Sequence, residues 1–179
     1  LLSSRITADR YETFYPEFKE LKDYLASSRP TAVNLFWALN RMDRTVAANQ
    51  EKDVAEIKEL LFQEADAIRE EDVQISREIG FGLLEELKQE GKEIGIMTHC
   101  NAGTLATAKY GTATAPMYIA LEKGWPGTAM HVYCDETRPL LQGARLTSFE
   151  LYNAGITTTL QCDNMASILM QSEKRPCYH

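Results

Sequence analysis

The pattern of apolar and polar positions over residues 1–91 is that of helices. In the first helix the apolar residues recur at spacings of three and four, which aligns them on one face: Phe14, Phe18, Leu21 and Leu25. A second helix is predicted over 31–48, where apolar residues are dense enough to predict burial on more than one side. A third is predicted from Asp53 to Gly91, a glycine suited to ending a helix. We therefore predict a helical N-terminal domain over 1–91.

After Gly91 the pattern changes to short apolar runs that alternate with helical segments. The runs predict strands at 94–98 and 130–134, and a stretch dense in β-branched residues predicts a third strand at 156–161. The remaining segments predict three helices, at 102–120, 140–154 and 164–170. Strands that alternate with helices form βαβ units on a parallel sheet. The predicted fold class is α/β, in which a partial Rossmann-like sheet with the element sequence βαβαβα occupies 92–179.

Both ends of the sequence have features of an incomplete protein. The chain starts at Leu1 rather than at a methionine, and three strands make a thin parallel sheet. The tail at 172–179 is polar and is predicted to continue neither the last helix nor the sheet. We interpret the chain as a piece of a longer protein, incomplete at the start of its first domain and truncated at the end of its second.

The net charge of −7 argues against nucleic acid as a partner, because an acidic chain repels phosphate backbones at long range. A local cationic site for a small phosphate is compatible with that charge. No apolar run reaches the length of a membrane span, and no signal peptide is recognisable, so no membrane partner is predicted. The four cysteines form no CxxC pair, which predicts reduced thiols and a cytoplasmic protein.

The three predicted strands end in residues of similar chemistry. These ends are His99-Cys100-Asn101, Cys134-Asp135-Glu136 and Cys162-Asp163-Asn164. Ligands of open α/β sheets bind beyond the carboxyl ends of the strands, so we expect these thiols and polar groups to converge if the strands are neighbours. Their spacing matches no compact zinc motif, and we predict no metal site. Asp163 is expected to cap the helix that follows it.

Cys100 lies between the first of these strands and the helix predicted to follow it. Free amides at a helix start bind anions and favour the thiolate form of cysteine. Gly103 allows the backbone to approach a ligand closely, and Asn101 directly follows the cysteine. The loop therefore predicts an anion cradle with a reactive sulfur. The alternative is an inert cysteine in a tight turn, which the local context favours because free cysteines are mostly core residues.

The junction between the second strand and its helix holds Arg138, Gln142 and Arg145. Arginine can bind phosphate through two hydrogen bonds, and glutamine can hydrogen-bond sugar hydroxyls. In the alternative interpretation Arg138 pairs with a neighbouring carboxylate and Arg145 lies on a solvated surface. Arg29, which precedes a proline at a predicted helix start, is a further candidate, although a surface arginine is the simpler interpretation.

Four segments of the chain resemble methylthioribose-1-phosphate isomerases, in the order in which that family has them. They are Ser28-Arg29-Pro30-Thr31-Ala32-Val33-Asn34-Leu35, Thr98-His99-Cys100-Asn101-Ala102-Gly103, Asp135-Glu136-Thr137-Arg138-Pro139-Leu140-Leu141-Gln142-Gly143-Ala144-Arg145-Leu146-Thr147 and Asp163-Asn164-Met165-Ala166. The run from Glu136 to Leu146 is the most specific of these signals.

The resemblance implies a helical domain joined to a Rossmann-like domain, a homodimer when the protein is complete, and no cofactor. The implied reaction converts S-methyl-5-thio-ribose 1-phosphate into S-methyl-5-thio-ribulose 1-phosphate in methionine salvage, so the expected partner is a small sugar phosphate. Cys100 would be the catalytic cysteine, and Arg29 and Gln142 would contact the substrate. From the residues themselves we add Asn101, Gly103 and Arg138 as candidate substrate contacts.

Three other functions remain open. An isomerase of another pentose 1-phosphate would share this fold, and so would the regulatory subunits of translation initiation factor two B, which bind and assemble rather than catalyse. A degraded gene product that keeps only the fold is the third. The Thr-His-Cys-Asn-Ala-Gly segment around Cys100 favours the isomerase.

The resemblance also implies that part of the active site lies outside this sequence. The family's Arg-Gly-Ala substrate loop would lie upstream, and its catalytic aspartate and Asn-Lys pair would lie downstream. Asp163 does not correspond to that aspartate. We therefore expect the 179-residue chain to be weakly active or inactive.

Overall fold

The computed structural model describes residues 2–31, 33–87 and 94–171, together with the backbone of 177–178. The chain divides into two compact units, Leu1–Glu70 and Glu71–His179. This division falls inside the third helix, earlier in the chain than the domain boundary that we predict at residue 91. The helix end predicted at Gly91 lies outside the described residues.

The first unit is helical, as its pattern predicts. It holds α1 (Tyr11–Ser27), α2 (Val33–Ala47) and the start of α3 (Val54–Leu87). Its core is made by apolar residues from these helices and from the segment before them: Ile6, Phe14, Phe18, Val46, Val54, Ile57 and Leu61. The burial predicted for α2 is wrong. Only its end is buried, at Val46, whereas the side chains of Val33 and Trp37 are 79% and 47% exposed.

The second unit is built on a parallel sheet of four strands in the order β3-β2-β1-β4. The strands are β1 (Ile94–Thr98), β2 (Met130–Asp135), β3 (Thr157–Gln161) and β4 (Cys177–Tyr178). The three predicted strands and the α/β class are confirmed. The prediction for the tail is wrong, because Cys177 and Tyr178 form β4 and pair with Ile96 and Met97 of β1. A two-residue strand carries too little pattern to be recognised in sequence.

Apolar positions of the strands and of the surrounding helices form one core in this unit. Its fully buried side chains include Leu84, Met117, Ile119, Met130, Val132 and Leu151. The helices of the unit, apart from the end of α3, are α4 (Ala115–Glu122), α5 (Ser148–Asn153) and α6 (Ala166–Gln171). No helix of the described residues is both long and apolar enough to cross a membrane.

The helix predicted over 102–120 is wrong in its first half. That segment forms a 3₁₀ turn at Thr104–Ala106 and then an irregular loop, and α4 starts only at Ala115. Gly111 has a left-handed φ of +75°, which an α-helix excludes. The buried hydroxyl of Thr114 bonds to the carbonyls of Ala102 at 3.0 Å and Tyr110 at 2.9 Å, which holds the loop closed. Side chain to backbone bonds of this kind compete with helix formation.

The helix predicted over 140–154 is also only partly regular. A π-helical turn at Gly143–Thr147 precedes α5, which covers only the end of the predicted range. Single π turns inside helices are frequent at functional sites. The order of the strands then fixes where a site should lie. Because β1 has β2 on one side and β4 on the other, the chain order reverses at β1, and a ligand crevice is expected beyond its carboxyl end.

Candidate active site

Cys100 follows β1 at this crevice and is held in an unusual backbone conformation. Its φ is +65°, in the left-handed region that residues other than glycine rarely occupy. Two threonine hydroxyls hold it there. The Cys100 N–H donates to Thr137 Oγ1 at 2.8 Å, and the Cys100 carbonyl accepts from Thr147 Oγ1 at 2.8 Å. Both threonines are buried, so the peptide groups on either side of the cysteine are fixed to the interior of the unit.

Cys100 is exposed, and the side-chain amide of Gln142 approaches its sulfur. Gln142 Nε2 donates to Cys100 Sγ at 3.6 Å, within the longer range of sulfur contacts. Gln142 Oε1 is buried and has no hydrogen-bond partner within the described part of the chain. The structure thus brings together two of the predicted site residues, although they lie 42 positions apart.

Gly143 allows this approach, because its backbone lies directly on the end of β2. A Cβ on Gly143 would overlap the carbonyl oxygen of Asp135 and would meet Thr137 Oγ1 at 2.8 Å. Neither neighbour can withdraw easily, since one is backbone and the other is a buried hydroxyl. Glycine is therefore required beside Gln142 for steric reasons.

The loop after Cys100 differs from the predicted anion cradle. No α-helix starts there, and two of its amides, those of Gly103 and Thr104, already have acceptors in the protein. The Gly103 N–H donates to Asn101 Oδ1 at 3.2 Å, and the Thr104 N–H and hydroxyl donate to Glu150 Oε2 at 2.8 and 2.9 Å. The Glu150 carboxylate also covers Gly103, so that a Cβ there would collide with it. The helix start from which the cradle is predicted is therefore wrong, and the anion cradle and the substrate contacts by Asn101 and Gly103 stay predictions.

The loop after β2 has two more left-handed residues, Thr137 with φ +59° and Leu141 with φ +58°. The carboxylate of Asp163 holds its start: Oδ1 accepts the Thr137 N–H at 2.8 Å and Oδ2 accepts the Arg138 N–H at 2.9 Å. These two bonds lower the pKa of Asp163 below its ordinary value of 3.8, against the opposing effect of desolvation, and the charges of His99 and Arg138 act in the same direction. The prediction that Asp163 caps the following helix is wrong, since its oxygens bind this loop instead.

His99 and Asp135 form a second polar contact at the crevice. His99 Nδ1 lies 3.0 Å from Asp135 Oδ2, and Asp135 Oδ1 accepts from Gln161 Nε2 at 2.7 Å. Asp135 and Gln161 are buried, whereas His99 is exposed. Among the described residues, the ligand atoms of His99, Asp135 and Asp163 lie within 4.8 Å of one another, a grouping that could hold a metal ion. All four carboxylate oxygens already contact protein groups, so the cluster is accounted for without an ion.

The predicted arginines take no part in these contacts through their side chains. The Arg138 side chain is 70% exposed, with its Nη1 3.8 Å from Glu136 Oε1, as in the alternative interpretation that pairs it with a carboxylate. Arg145 is exposed. Arg29 belongs to the helical unit, in the turn between α1 and α2, and its predicted contact with substrate stays a prediction.

The three strand-end thiols do not converge. The side chain of Cys134 lies in the core, where burial and the neighbouring charge of Asp135 raise its pKa to about 12. Cys162 is exposed, and Cys100 is the thiol that other side chains organise. Thr137, Thr147 and Glu150, which hold the cysteine and its loop, were not recognised as site residues in the sequence. Hydroxyls that bond to distant backbone leave no local signal.

Comparison with known proteins identifies the family of the chain. The model of the initiation factor 2 subunit family matches residues 1–174. The chain belongs to this family. Within it, a methylthioribose-1-phosphate isomerase of Symbiobacterium thermophilum is 56% identical over 162 residues, which cover 90% of this chain and 44% of that protein. A 5-deoxyribose 1-phosphate isomerase of Clostridium botulinum is 54% identical over 166 residues, which cover 93% of this chain and 46% of that protein.

Solved structures of the family have the same fold. The 5-methylthioribose 1-phosphate isomerase of Pyrococcus horikoshii OT3 superposes with a TM-score of 0.86 at 38% identity, covering 98% of this chain and 48% of that one. Subunit delta of translation initiation factor eIF-2B from A. fulgidus superposes with a TM-score of 0.81 at 39% identity. The match covers 97% of this chain and 48% of that one. The predicted resemblance is confirmed, and the chain spans about half the length of the curated relatives it matches.

Proposed function

We propose that the protein is an aldose–ketose isomerase that converts S-methyl-5-thio-ribose 1-phosphate into S-methyl-5-thio-ribulose 1-phosphate in methionine salvage, with Cys100 in direct contact with the substrate. The observation that supports this most is the exposed thiol of Cys100, held at the sheet crevice by buried groups and approached by the Gln142 amide. The names of the relatives in Symbiobacterium and Pyrococcus support the same reaction.

The chemistry asks for an acid–base group at the sugar ring. The ring oxygen takes up a proton as the bond from C1 to that oxygen breaks, one hydrogen moves from C2 to C1, and the C2 hydroxyl gives up its proton as the ketone forms. No electron donor or acceptor is needed, and the proton taken up equals the proton released. We propose that the Cys100 thiol exchanges one of these protons with the substrate, since a positioned side chain that transfers protons lowers such barriers.

We propose Gln142, Asn101, Gly103, Arg138 and Arg29 as groups that contact the sugar phosphate. Gln142 is the best supported of them, because its amide already reaches the cysteine sulfur. The guanidinium of Arg138 is exposed and its ion pair is long, so it is available to bind phosphate. We also propose a cytoplasmic homodimer without a cofactor. The three cysteines whose side chains are described are all free thiols, which is typical of a reducing compartment.

The test uses a chimera in which this chain replaces the matching segment of the Symbiobacterium thermophilum relative. Incubation with methylthioribose 1-phosphate, followed by NMR of the C1 and C2 resonances, should show ketose formation. Cys100→Ser in the same chimera should abolish it. A folded chimera that leaves the sugar unchanged while the parent relative converts it would contradict the proposal. The 179-residue chain alone is expected to convert little or none.

A second substrate has specific support. The Clostridium botulinum relatives are named for 5-deoxyribose 1-phosphate, which differs from the first sugar at C5. Offering both sugars to the chimera at equal concentration gives the ratio of their kcat/KM values, and the larger value identifies the preferred substrate. A second candidate, a role in translation initiation as the name of the related eIF-2B subunit delta suggests, would instead leave both sugars unchanged.

A further inference from the structure

We propose that Asp163 is a positioning residue for Cys100 and acts on it through Thr137. Thr147 holds the cysteine from its other side, through its carbonyl. The three residues lie after β3, after β2 and in the π turn, and hydrogen bonds join them to the loop after β1. This inference rests on the proposed role of Cys100. Asp163 itself need not touch a substrate.

The first step is the bond between Asp163 and the loop after β2. Each oxygen of its carboxylate accepts a different N–H, from Thr137 at 2.8 Å and from Arg138 at 2.9 Å. Hydrogen bonds to an ionised acceptor are stronger than neutral ones. They fix two consecutive peptide groups in a segment where Thr137, a β-branched residue, has an unfavourable φ of +59°. Such a conformation persists only where its surroundings determine it.

The second step is the hydroxyl of Thr137. It accepts the N–H of Cys100 at 2.8 Å and lies 3.3 Å from the carbonyl of Asp135, to which it donates. One hydroxyl therefore joins the end of β2 to the loop after β1. It is buried and lies against Gly143, so it has little freedom to find other partners.

The third step is Thr147, on the other side of the cysteine. Its hydroxyl is completely buried and donates to the carbonyl of Cys100 at 2.8 Å. With the N–H held by one threonine and the carbonyl by another, both peptide groups that flank the Cys100 Cα are fixed. The direction of the Cα–Cβ bond follows from them, and it places the sulfur 3.6 Å from the amide nitrogen of Gln142.

The test measures whether this chain of contacts holds the cysteine, without any substrate. Amide hydrogen exchange followed by NMR on the 179-residue chain reports the Cys100 N–H directly. Thr137→Val keeps the shape of the side chain but removes the acceptor, and Thr137→Ser restores it. We expect about tenfold faster exchange of the Cys100 amide in Thr137→Val, and native exchange in Thr137→Ser.

Asp163→Asn tests the link from β3. Asparagine offers one acceptor where the carboxylate has two, and its NH₂ faces one of the two backbone donors. We expect the Cys100 amide to exchange about five- to tenfold faster, although Asp163 does not touch it. Asp66→Asn is the matched control, because that carboxylate pairs with exposed Arg69 in the helical unit. It should leave the Cys100 amide unchanged.

Two results would overturn the inference. Native exchange at Cys100 in Asp163→Asn would show that the carboxylate does not act on the cysteine. Equal acceleration at Cys100 and throughout β1 would show a general loosening of the sheet rather than positioning. Neither result depends on turnover. Failure of the proposed isomerase activity would therefore leave the exchange test valid, and native exchange in the variants would leave the activity test valid.

Discussion

Two cysteines at the ends of adjacent strands have opposite surroundings. Cys134 belongs to β2, is completely buried, and has its pKa raised to about 12 by burial and by Asp135. Cys100 lies just beyond β1, is exposed, and is bonded through its N–H, its carbonyl and its sulfur. The residue type is the same, and both thiols lie near the carboxyl edge of one sheet. The backbone around each determines which thiol is available for chemistry.

The difference follows from where each strand stops. Cys134 faces Thr98 in the register of the sheet, and strand alternation directs its side chain into the core. Asp135 is the next residue and points to the other face, toward His99. Cys100 lies two positions after the end of β1, where a left-handed φ has already turned the chain away from the sheet. A thiol at a strand end is therefore informative only once the last paired residue is known.

The largest expected effect is the contrast in alkylation between the two thiols. The rise of the Cys134 pKa from 9.0 to about 12 lowers its thiolate fraction about a thousandfold, and burial blocks access as well. Iodoacetamide at mildly alkaline pH, followed by peptide mass spectrometry, should modify Cys100 and Cys162 and spare Cys134. In urea the three rates should converge. Rapid modification of Cys134 in the folded chain would remove the basis of the comparison.

The next largest effect concerns the glycine that lets Gln142 reach Cys100. Gly143→Ala forces a methyl group against the Asp135 carbonyl, which cannot withdraw, and should lower the unfolding free energy by about 1–3 kcal/mol. Gly82→Ala is the matched control in the same unit, because a methyl group there meets no atom within 4 Å, and it should not lower the unfolding free energy. Urea denaturation measures both. Equal losses would mean that the close approach at Gly143 has no special role.

Replacing each thiol by a hydroxyl sharpens the contrast in stability. Cys134→Ser places an OH group in an apolar core and should lower the unfolding free energy by about 2 kcal/mol. Cys100→Ser changes an exposed group and should alter it by about 0.5 kcal/mol or less. The same urea titrations measure these values. A larger loss at Cys100 than at Cys134 would reverse the assignment of structural and chemical roles.

The smallest expected effect is a dependence on pH of the stability that Asp163 gives to the loop supporting Cys100. The pKa of Asp163 is lower in the folded chain than its ordinary value of 3.8, so the unfolded chain binds this proton first as the pH falls. The stabilisation is therefore complete above the unfolded pKa and is lost as the pH falls through the folded pKa. Asp135, His99 and Arg138 face the same carboxylate, and the positive charges of the last two favour its ionised form.

The measurement compares urea midpoints of the native chain and Asp163→Asn as the pH is lowered. The difference between them should stay constant down to about pH 5 and narrow below it. A difference that persists unchanged to the lowest pH would show that the carboxylate does not stabilise the loop through its charge. Asp66→Asn again serves as the control, because its carboxylate is largely exposed.

The sheet could be predicted from sequence to a large extent because its strands are short runs rich in apolar or β-branched residues. The predicted strand at 94–98 agrees with β1 at both ends, since the buried apolar residues Ile94, Ile96 and Met97 mark it clearly. The segment 102–120 could not be predicted as well. Its residues suit a helix, but Thr114 and Gly111 close a loop through contacts that a helical pattern does not show.

The site could be predicted only where a residue has chemistry of its own. The sequence predicts Cys100 by its thiol and its place at a strand end, and Gln142 by its amide beside a glycine, and the structure brings the two side chains into contact. The sequence does not predict Thr137, Thr147 or Glu150, which hold the site in place. A threonine hydroxyl or a glutamate acquires such a role only by bonding to distant backbone. Glu150 binds Thr104 across 46 positions, a pairing that exists only in the folded chain.

The two threonine contacts of Cys100 have a consequence for folding. They join residues 37 and 47 positions apart, so we expect the closures that they require to form more slowly than the local helices. Before Thr137 and Thr147 reach the loop after β1, Cys100 is expected to be an ordinary thiol on an unrestrained loop. Its amide then becomes protected and its sulfur acquires a partner in the same late step. Cys100 can therefore serve as a natural reporter in refolding experiments, marking the moment when the unit becomes native.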